Sequence, residues 1–256
     1  MGKNILIVGA TRGLGNSLLT KYSTAGNTVY GTAREDPPSH LSSNPNWIKN
    51  VDMSTPHAGE SIAKQWPEAT PIDLLVLTAG YFGLESFDDP NWEKQLLMYK
   101  ISAMGPVFLV HHLEKAGLLR EGSKIILISS ESGSITLRHE SEGGGNYGHH
   151  ASKAAENMVG KLLSLDLKEK GVAVGIVHPG FMRTEMTAGV GFDKYWDDGG
   201  AVTPDEAAES LIGWIDTFDI SKTGTYWAPR GPADIGTAEP VLGPKSNLST
   251  PLELPW

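Results

Sequence analysis

The residues with the most chemical promise lie in one short run, Tyr147-Gly-His-His-Ala-Ser-Lys153. A helix would place His149 and Lys153 on one face, since they are spaced i to i+4. An unperturbed imidazole titrates near ~6.5, and a neighbouring ammonium pushes it lower because like charges disfavour the charged form. A neutral His149 is then a competent base or hydrogen-bond donor, but a scarce imidazolium acid at pH 7. Alcohol oxidation, isomerisation and elimination call for a base, whereas carbonyl reduction calls for a proton donor. Ser130, after the apolar run 124–129, offers a hydroxyl that could polarise a carbonyl oxygen. No nucleophile elbow surrounds it, so acyl transfer is not expected. No metal site is expected either. Adjacent side chains such as His149 and His150 diverge by about 100° on a helix, and no third ligand suggests itself. His111-His112 falls in an apolar helical segment and reads as packing.

A second cluster is built for an anion. Gly9-Ala-Thr-Arg-Gly13-Leu-Gly15 follows the first apolar run and leads into a helical pattern. Glycines at these positions allow a tight turn and let backbone N–H groups around Thr11, Arg12, Gly13 and Leu14 approach a pyrophosphate at a helix start. Residues 30–34 then end in Arg34, where an acid would suit a ribose without a 2′-phosphate. A guanidinium there suits the 2′-phosphate, and Arg12 adds a second charge. Together they favour NADP(H) over NAD(H).

These groups must be positioned by alternating strands and helices. Strands are expected at 4–8, 28–32, 47–51, 74–78, 124–129, 173–178 and 225–228, and helices at 14–25, 57–65, 92–116, 147–170 and 204–217. Short apolar runs alternating with helix-length segments predict a parallel sheet covered on both faces. Thr203, Pro204, Asp205 and Glu206 form a helix start signal. Residues 140–148 hold four glycines and read as a loop leading into the helix of His149. Residues 184–200 carry Met186, Val190, Phe192, Tyr195 and Trp196 between glycines. They read either as a lid over an apolar substrate or as a surface helix packed on the body. Residues 229–256 carry six prolines, and are expected to pack through Leu254 and Trp256 or to be disordered.

The ordered motifs resemble the short-chain dehydrogenase/reductase family. The matching pieces are Gly9-x-x-x-Gly13-x-Gly15, Asp52, Ala79-Gly80, Ser130, Lys153 and Pro179-Gly180-x-x-x-Thr184, over roughly residues 3–228. Ala151-Ser-Lys-Ala-Ala-Glu-Asn157 and Leu254-Pro-Trp256 resemble its C-factor-like ketoreductase branch, although the stretch from Arg230 to Leu254 is longer than that branch implies. The resemblance implies a single α/β Rossmann-type doubly wound domain, 1–256, with a seven-stranded parallel sheet flanked by helices. It implies Asp52 and Met53 near the adenine, Ala79 and Gly80 along the ribose, and Lys153 on the nicotinamide ribose. It places Pro179, Gly180, Met182 and Thr184 around the carboxamide. It also implies a dimer or tetramer.

The same resemblance exposes three departures. The family uses Asn, Ser, Tyr and Lys: Tyr moves the proton, Ser orients the carbonyl, Lys lowers the phenol pKa and Asn holds a water relay. Ser130 and Lys153 match, but His149 stands in the Tyr slot and Ser102 in the Asn slot. The segment expected as Asn-Asn-Ala-Gly reads Leu77-Thr-Ala-Gly80. Imidazole reaches less far than a phenol, so a substrate must sit closer or a water must intervene. Tyr147 is an alternative source of the phenol, and a helix-start role in a non-catalytic protein is the alternative for His149.

Composition bounds the remaining classes. A chain of 256 residues with 39% hydrophobic and 20% charged residues can bury a core. A net charge of −9 without Lys/Arg runs argues against nucleic acid. The absence of cysteine excludes disulfides and thiol chemistry. No segment reads as a secretory leader or a membrane span, which gives the expectation of a cytoplasmic protein with no membrane partner. The first expectation is an NADP(H)-dependent oxidoreductase of a ketone, aldehyde or alcohol on a medium-sized, partly apolar metabolite. The second is a non-redox isomerase, dehydratase or cyclase of specialised metabolism with His149 as base. The third is a nucleotide-sensing pseudo-enzyme.

Overall fold

A computed structural model describes residues 2–39, 41, 46–67 and 70–256. The chain runs β1 (Asn4–Val8), α1 (Gly13–Thr24), β2 (Thr28–Thr32), β3 (Asn46–Ile48), α2 (Ala58–Gln65), β4 (Leu74–Leu77) and α3 (Trp92–Tyr99). It continues with α4 (Gly105–Lys115), β5 (Lys124–Ile128), α5 (Tyr147–Leu167), β6 (Ala173–Val177), α6 (Glu185–Gly189), α7 (Pro204–Thr217), β7 (Thr225–Ala228), α8 (Ala238–Leu242) and β8 (Leu252–Glu253). The strands lie in the order β3-β2-β1-β4-β5-β6-β7-β8. The seven from β3 to β7 are parallel, and β8 pairs antiparallel with β7 through Trp227↔Glu253 and Ala228↔Leu252. The sheet therefore has eight strands rather than the expected seven, because the proline-rich stretch returns to add one.

The strand sequences explain the two-sided burial. In β1, Leu6 and Val8 face one side and Ile5 and Ile7 the other. Leu75, Leu77, Ile125, Leu127 and Val174 continue the first side, closed by Ile62, Leu109, Leu113 and Leu167 of the covering helices. Leu74, Val76, Ile126 and Val177 continue the second, closed by Leu18, Leu211, Trp214 and Ile215. Period-two alternation with both faces apolar is what a parallel strand between helix layers requires. Thr203 caps α7 by accepting from the Glu206 N–H at 3.2 Å, while the Glu206 carboxylate accepts from the Thr203 N–H at 2.7 Å.

Two elements differ from the sequence expectation. The helix expected at 92–116 is interrupted by a π-helical turn, Lys100–Met104, which carries Ser102. This run, Trp92–Lys115, is also long and apolar enough to cross a bilayer, at 24 residues and mean hydropathy 1.2, contrary to the expectation that no segment is. Its residues Met98, Leu109, Val110 and Leu113 are buried in the fold. The chain moves outward from β1 to β3 and then crosses back to β4, so the strand order reverses between β1 and β4. A crevice opens at the carboxyl ends of the strands at such a reversal. The segments after β1, β4, β5 and β6, which hold nearly all the candidate residues, lie at that end.

Candidate active site

The glycine turn after β1 is one that side chains would not tolerate. Gly9 has φ +90°, and a Cβ there would stand 2.7 Å from the Ala79 N. Gly13 has φ +54°, and a Cβ on Gly15 would lie 2.2 Å from the Gly9 carbonyl oxygen. Ala79, whose N–H donates to Val8 O at 3.0 Å, thus seals one wall of the turn. Helix α1 begins behind Arg12 with no side-chain cap, so its first N–H groups remain open to an anion. Leu14 points into the core, so only its backbone belongs to the turn. This cradle fits a pyrophosphate.

Around it, the other candidate residues fall in different environments. Arg34 is exposed just past β2 and makes no ion pair among the described residues. Arg12 instead reaches across to Glu185, the first residue of α6, at 3.0 Å. Asp52 accepts from the Ser54 N–H at 2.9 Å and from Ser54 Oγ at 2.8 Å. Met53 is buried in the core, leaving its backbone as the available part. A Cβ on Gly80 would lie 3.6 Å from Met186 Cε of α6.

Past β6, Gly180 has φ +103°, and a Cβ there would lie 2.3 Å from Asp234 Oδ2. Asp234 accepts from the Phe181 N–H at 3.0 Å and from Arg230 Nε at 3.3 Å. A residue of the proline-rich stretch thereby fixes the Pro179–Gly180 turn, which sequence reasoning did not foresee. Met182 bridges to Val202, and Thr184 caps α6 by accepting from the Thr187 N–H at 3.2 Å.

The base-bearing helix is anchored from outside. Asn146 is left-handed (φ 48°), and α5 starts at the next residue. Glu85 stands at this start, its carboxylate accepting from the Gly148 N–H at 2.5 Å, the Asn91 N–H at 3.0 Å and Gln95 Nε2 at 2.9 Å. Burial opposes its ionisation, but the backbone bonds from Asn91 and Gly148 win and hold its pKa below the usual carboxylate value. A carboxylate at a helix start is also favoured by the dipole. Nothing near position 85 in the sequence signals this role.

His149 sits one residue beyond that anchor. Its ring lies on Phe82 with centroids 4.2 Å apart, and Phe192, beyond α6, meets Phe82 edge-on at 5.6 Å. Nδ1 of His149 is buried with no partner. Burial, then Lys153, then His150 push its pKa down to about 3. His149 is thus held neutral. Tyr147, the alternative phenol, is exposed at the outer start of α5, with its hydroxyl near Gly144. The structure does not bring it to Lys153, because residues six apart on a helix diverge by about 120° and stand about 9 Å apart along the axis.

Ser130 caps the short 3-10 turn Glu131–Gly133, its Oγ accepting from the Ser132 N–H at 3.2 Å and still able to donate. Its carbonyl accepts from the Tyr226 hydroxyl. Gly133 lets this turn press on α5, since a Cβ there would be 2.7 Å from the Lys153 carbonyl carbon. Lys153 Nζ donates to Ile128 O at 2.8 Å and to Glu156 Oε2 at 2.6 Å. Ser102 Oγ in the π turn is buried without a partner, so a water or a ligand atom is needed to satisfy it. Among the described residues no cluster of three or more His, Cys, Asp or Glu could hold a metal.

Comparison with known proteins places this site in context. The profile of the short chain dehydrogenase family matches residues 3–194. The 1-hydroxy-2-glutathionyl-2-methyl-3-butene dehydrogenase of Rhodococcus sp. (strain AD45) is 26% identical over 223 residues, covering 87% of this chain and 94% of that protein. The C-signal protein of Myxococcus xanthus is 30% identical over 119 residues, covering 45% and 69%. The NADPH-bound carbonyl reductase from chicken fatty liver superposes with a TM-score of 0.75 at 22% identity, covering 89% and 96%, and so shares the fold.

Proposed function

The chain belongs to the short-chain dehydrogenase family, and from that premise we propose that it is an NADP(H)-dependent oxidoreductase acting on a ketone, aldehyde or alcohol of a medium-sized, partly apolar molecule. The observation that carries this reading is the glycine cradle: Gly9 and Gly15 with no room for a side chain, Gly13 in a left-handed conformation, an uncapped α1 start, and an Arg34 with no ion pair among the described residues. The cradle would hold the pyrophosphate and Arg34 the 2′-phosphate. Asp52 would stand at the adenine, and Lys153 at the nicotinamide ribose. When bound, the nicotinamide supplies or accepts the hydride.

The protein's own part is orientation and proton handling. The Ser130 hydroxyl donates to the substrate oxygen and fixes its direction. The neutral imidazole of His149 accepts the alcohol proton in the oxidation direction; in reduction its N–H only hydrogen-bonds the carbonyl oxygen, and a water supplies the proton and leaves as hydroxide. Phe82 packs on His149 and Phe192 on Phe82; closed over a bound substrate they would exclude solvent, which strengthens polar contacts. The matching stretch with the Myxococcus xanthus protein supports the C-factor-like branch.

A second reading keeps the scaffold and changes the chemistry. A histidine held neutral is open to accept a proton and has none to give as an imidazolium, which suits an isomerase, dehydratase or cyclase in which the nucleotide is structural, although the same burial weakens it as a base. Deuterium from C4-labelled NADPH separates the two: its absence from product during turnover removes the redox reading.

The cofactor assignment is tested by titrating NADPH and NADH against the protein and against Arg34→Ala, following cofactor fluorescence. Loss of one charge-assisted phosphate contact should weaken NADPH about tenfold or more and leave NADH nearly unchanged. Equal binding of both nucleotides to both proteins would remove Arg34 from the site.

A further inference from the structure

Lys153 is only 8% exposed and Glu156 only 3%. A lysine buried to this extent needs a counter-charge, since an isolated ammonium is costly in a low-dielectric interior. In the family pattern a tyrosine four residues earlier can supply one by ionising. The imidazole of His149 has no accessible anionic form, so this chain must find the charge elsewhere. Glu156 lies one turn further along α5, with Oε2 2.6 Å from Lys153 Nζ. An ammonium has three donors. Ile128 O and Glu156 take two of them.

We propose that Glu156 is the counter-ion and positioning residue of Lys153, clamping the ammonium at the end of β5 with its third donor free for the ribose of a bound nucleotide. The ribose part rests on the cofactor reading above; the pair itself does not. Lys153 faces Glu156 from its own helix, and Tyr226 faces it from β7 with Glu131 beyond. His149 and His150 stand on the other side of Lys153, at the start of α5. Burial pushes the Glu156 carboxyl up to about 7 against the pull of Lys153. The clamp therefore changes charge near neutral pH.

Two variants separate charge from shape. Glu156→Gln keeps volume and an acceptor but removes the charge; Glu156→Leu removes both. In protein carrying ¹³C at the glutamate carboxyl carbons, one signal should titrate near neutral pH and vanish in Glu156→Gln. NADPH affinity should fall about tenfold in Glu156→Leu, the scale of one charged hydrogen bond. In Glu156→Gln it should stay within about threefold at pH 8. The ratio of wild-type to Glu156→Gln affinity should fall as pH drops below 7, and the ligand's own titration cancels in that ratio. A folded Glu156→Leu that binds NADPH like the wild type, with an affinity ratio flat in pH, would overturn the positioning role. A Glu156 carboxyl signal that titrates identically in the wild type and in Lys153→Met would overturn the pair. Failure of the wild type itself to bind NADPH, with that signal present, would overturn the cofactor reading and the ribose role while leaving the counter-ion assignment supported.

Discussion

His149 and Glu156 bracket Lys153 and respond to pH in opposite senses. His149 has a folded pKa near 3, below its unfolded value of 6.5, so its stabilising contribution is present above 6.5 and is lost as pH falls. Glu156 has a folded pKa near 7, above its unfolded value of 4.5, so its contribution is full below 4.5 and is lost as pH rises through 7. By pH 5 the histidine has cost roughly 2 kcal/mol and the glutamate has returned a similar amount. Relative to the wild type, urea denaturation at pH 7.5 and pH 5 should therefore show a His149→Asn variant that gains stability on acidification and a Glu156→Gln variant that loses it, with His150 adding the same background to all three. Parallel behaviour of all three would refute the assignment. The sequence alone located His149, because a lysine four residues on and an ordered set of flanking motifs fixed its slot. It did not reveal the burial, since Phe82 reaches the imidazole from a distant segment and Phe192 backs Phe82 from another. Glu156 was legible in principle, three residues from Lys153, but an acid on a helix reads as solvent-facing until its partner is seen.

Among the elements, α5 decides where the chemistry happens, and Glu85 decides where α5 begins. Three hydrogen bonds converge on one carboxylate, tying the segment after β4 to the first turn of α5. Glu85→Ala should lower stability by roughly 2–4 kcal/mol, because buried N–H donors lose a charged acceptor, and Glu85→Gln by about half as much. Activity should fall with the alanine variant even where folding is complete, since His149 lies one residue past the anchored N–H. Denaturant melts alongside kcat measure both; unchanged values would make Glu85 a bystander. The main strands were legible because each is a short apolar run buried on both faces. Strand β8 was not, being two residues whose pairing depends on Trp227 and Ala228 across the chain. The π turn at Lys100–Met104 was equally hidden, because a single turn of different pitch leaves the apolar periodicity of 92–116 almost intact.

For the molecule as a whole, the outer faces of α4 and α5 are unusually apolar. Met104, Val107 and Phe108 are exposed on one helix, and Met158, Leu162 and Leu165 on the other. The spacing at 158, 162 and 165 makes a single stripe on α5. Exposed apolar surface of this kind is what interfaces between subunits use, and an interface between copies of this chain is testable there. Leu162→Asp should shift the mass in light scattering to that of a smaller species with the nucleotide site intact; an unchanged mass would send the interface elsewhere. Composition hinted at none of this, since the same residues in a helix pattern read equally well as core.

The two margins of the sheet carry a consequence of their own. On one side stands β3, with three residues; on the other stands β8, with two, flanked by Pro251 and Pro255. Proline has no N–H to offer an approaching strand, and very short edge strands present few groups to template one. Among the described residues, those that pair with β7 therefore also cap that margin with a short, proline-flanked edge ill suited to template another strand, and they come from the same stretch that holds the Pro179–Gly180 turn in place.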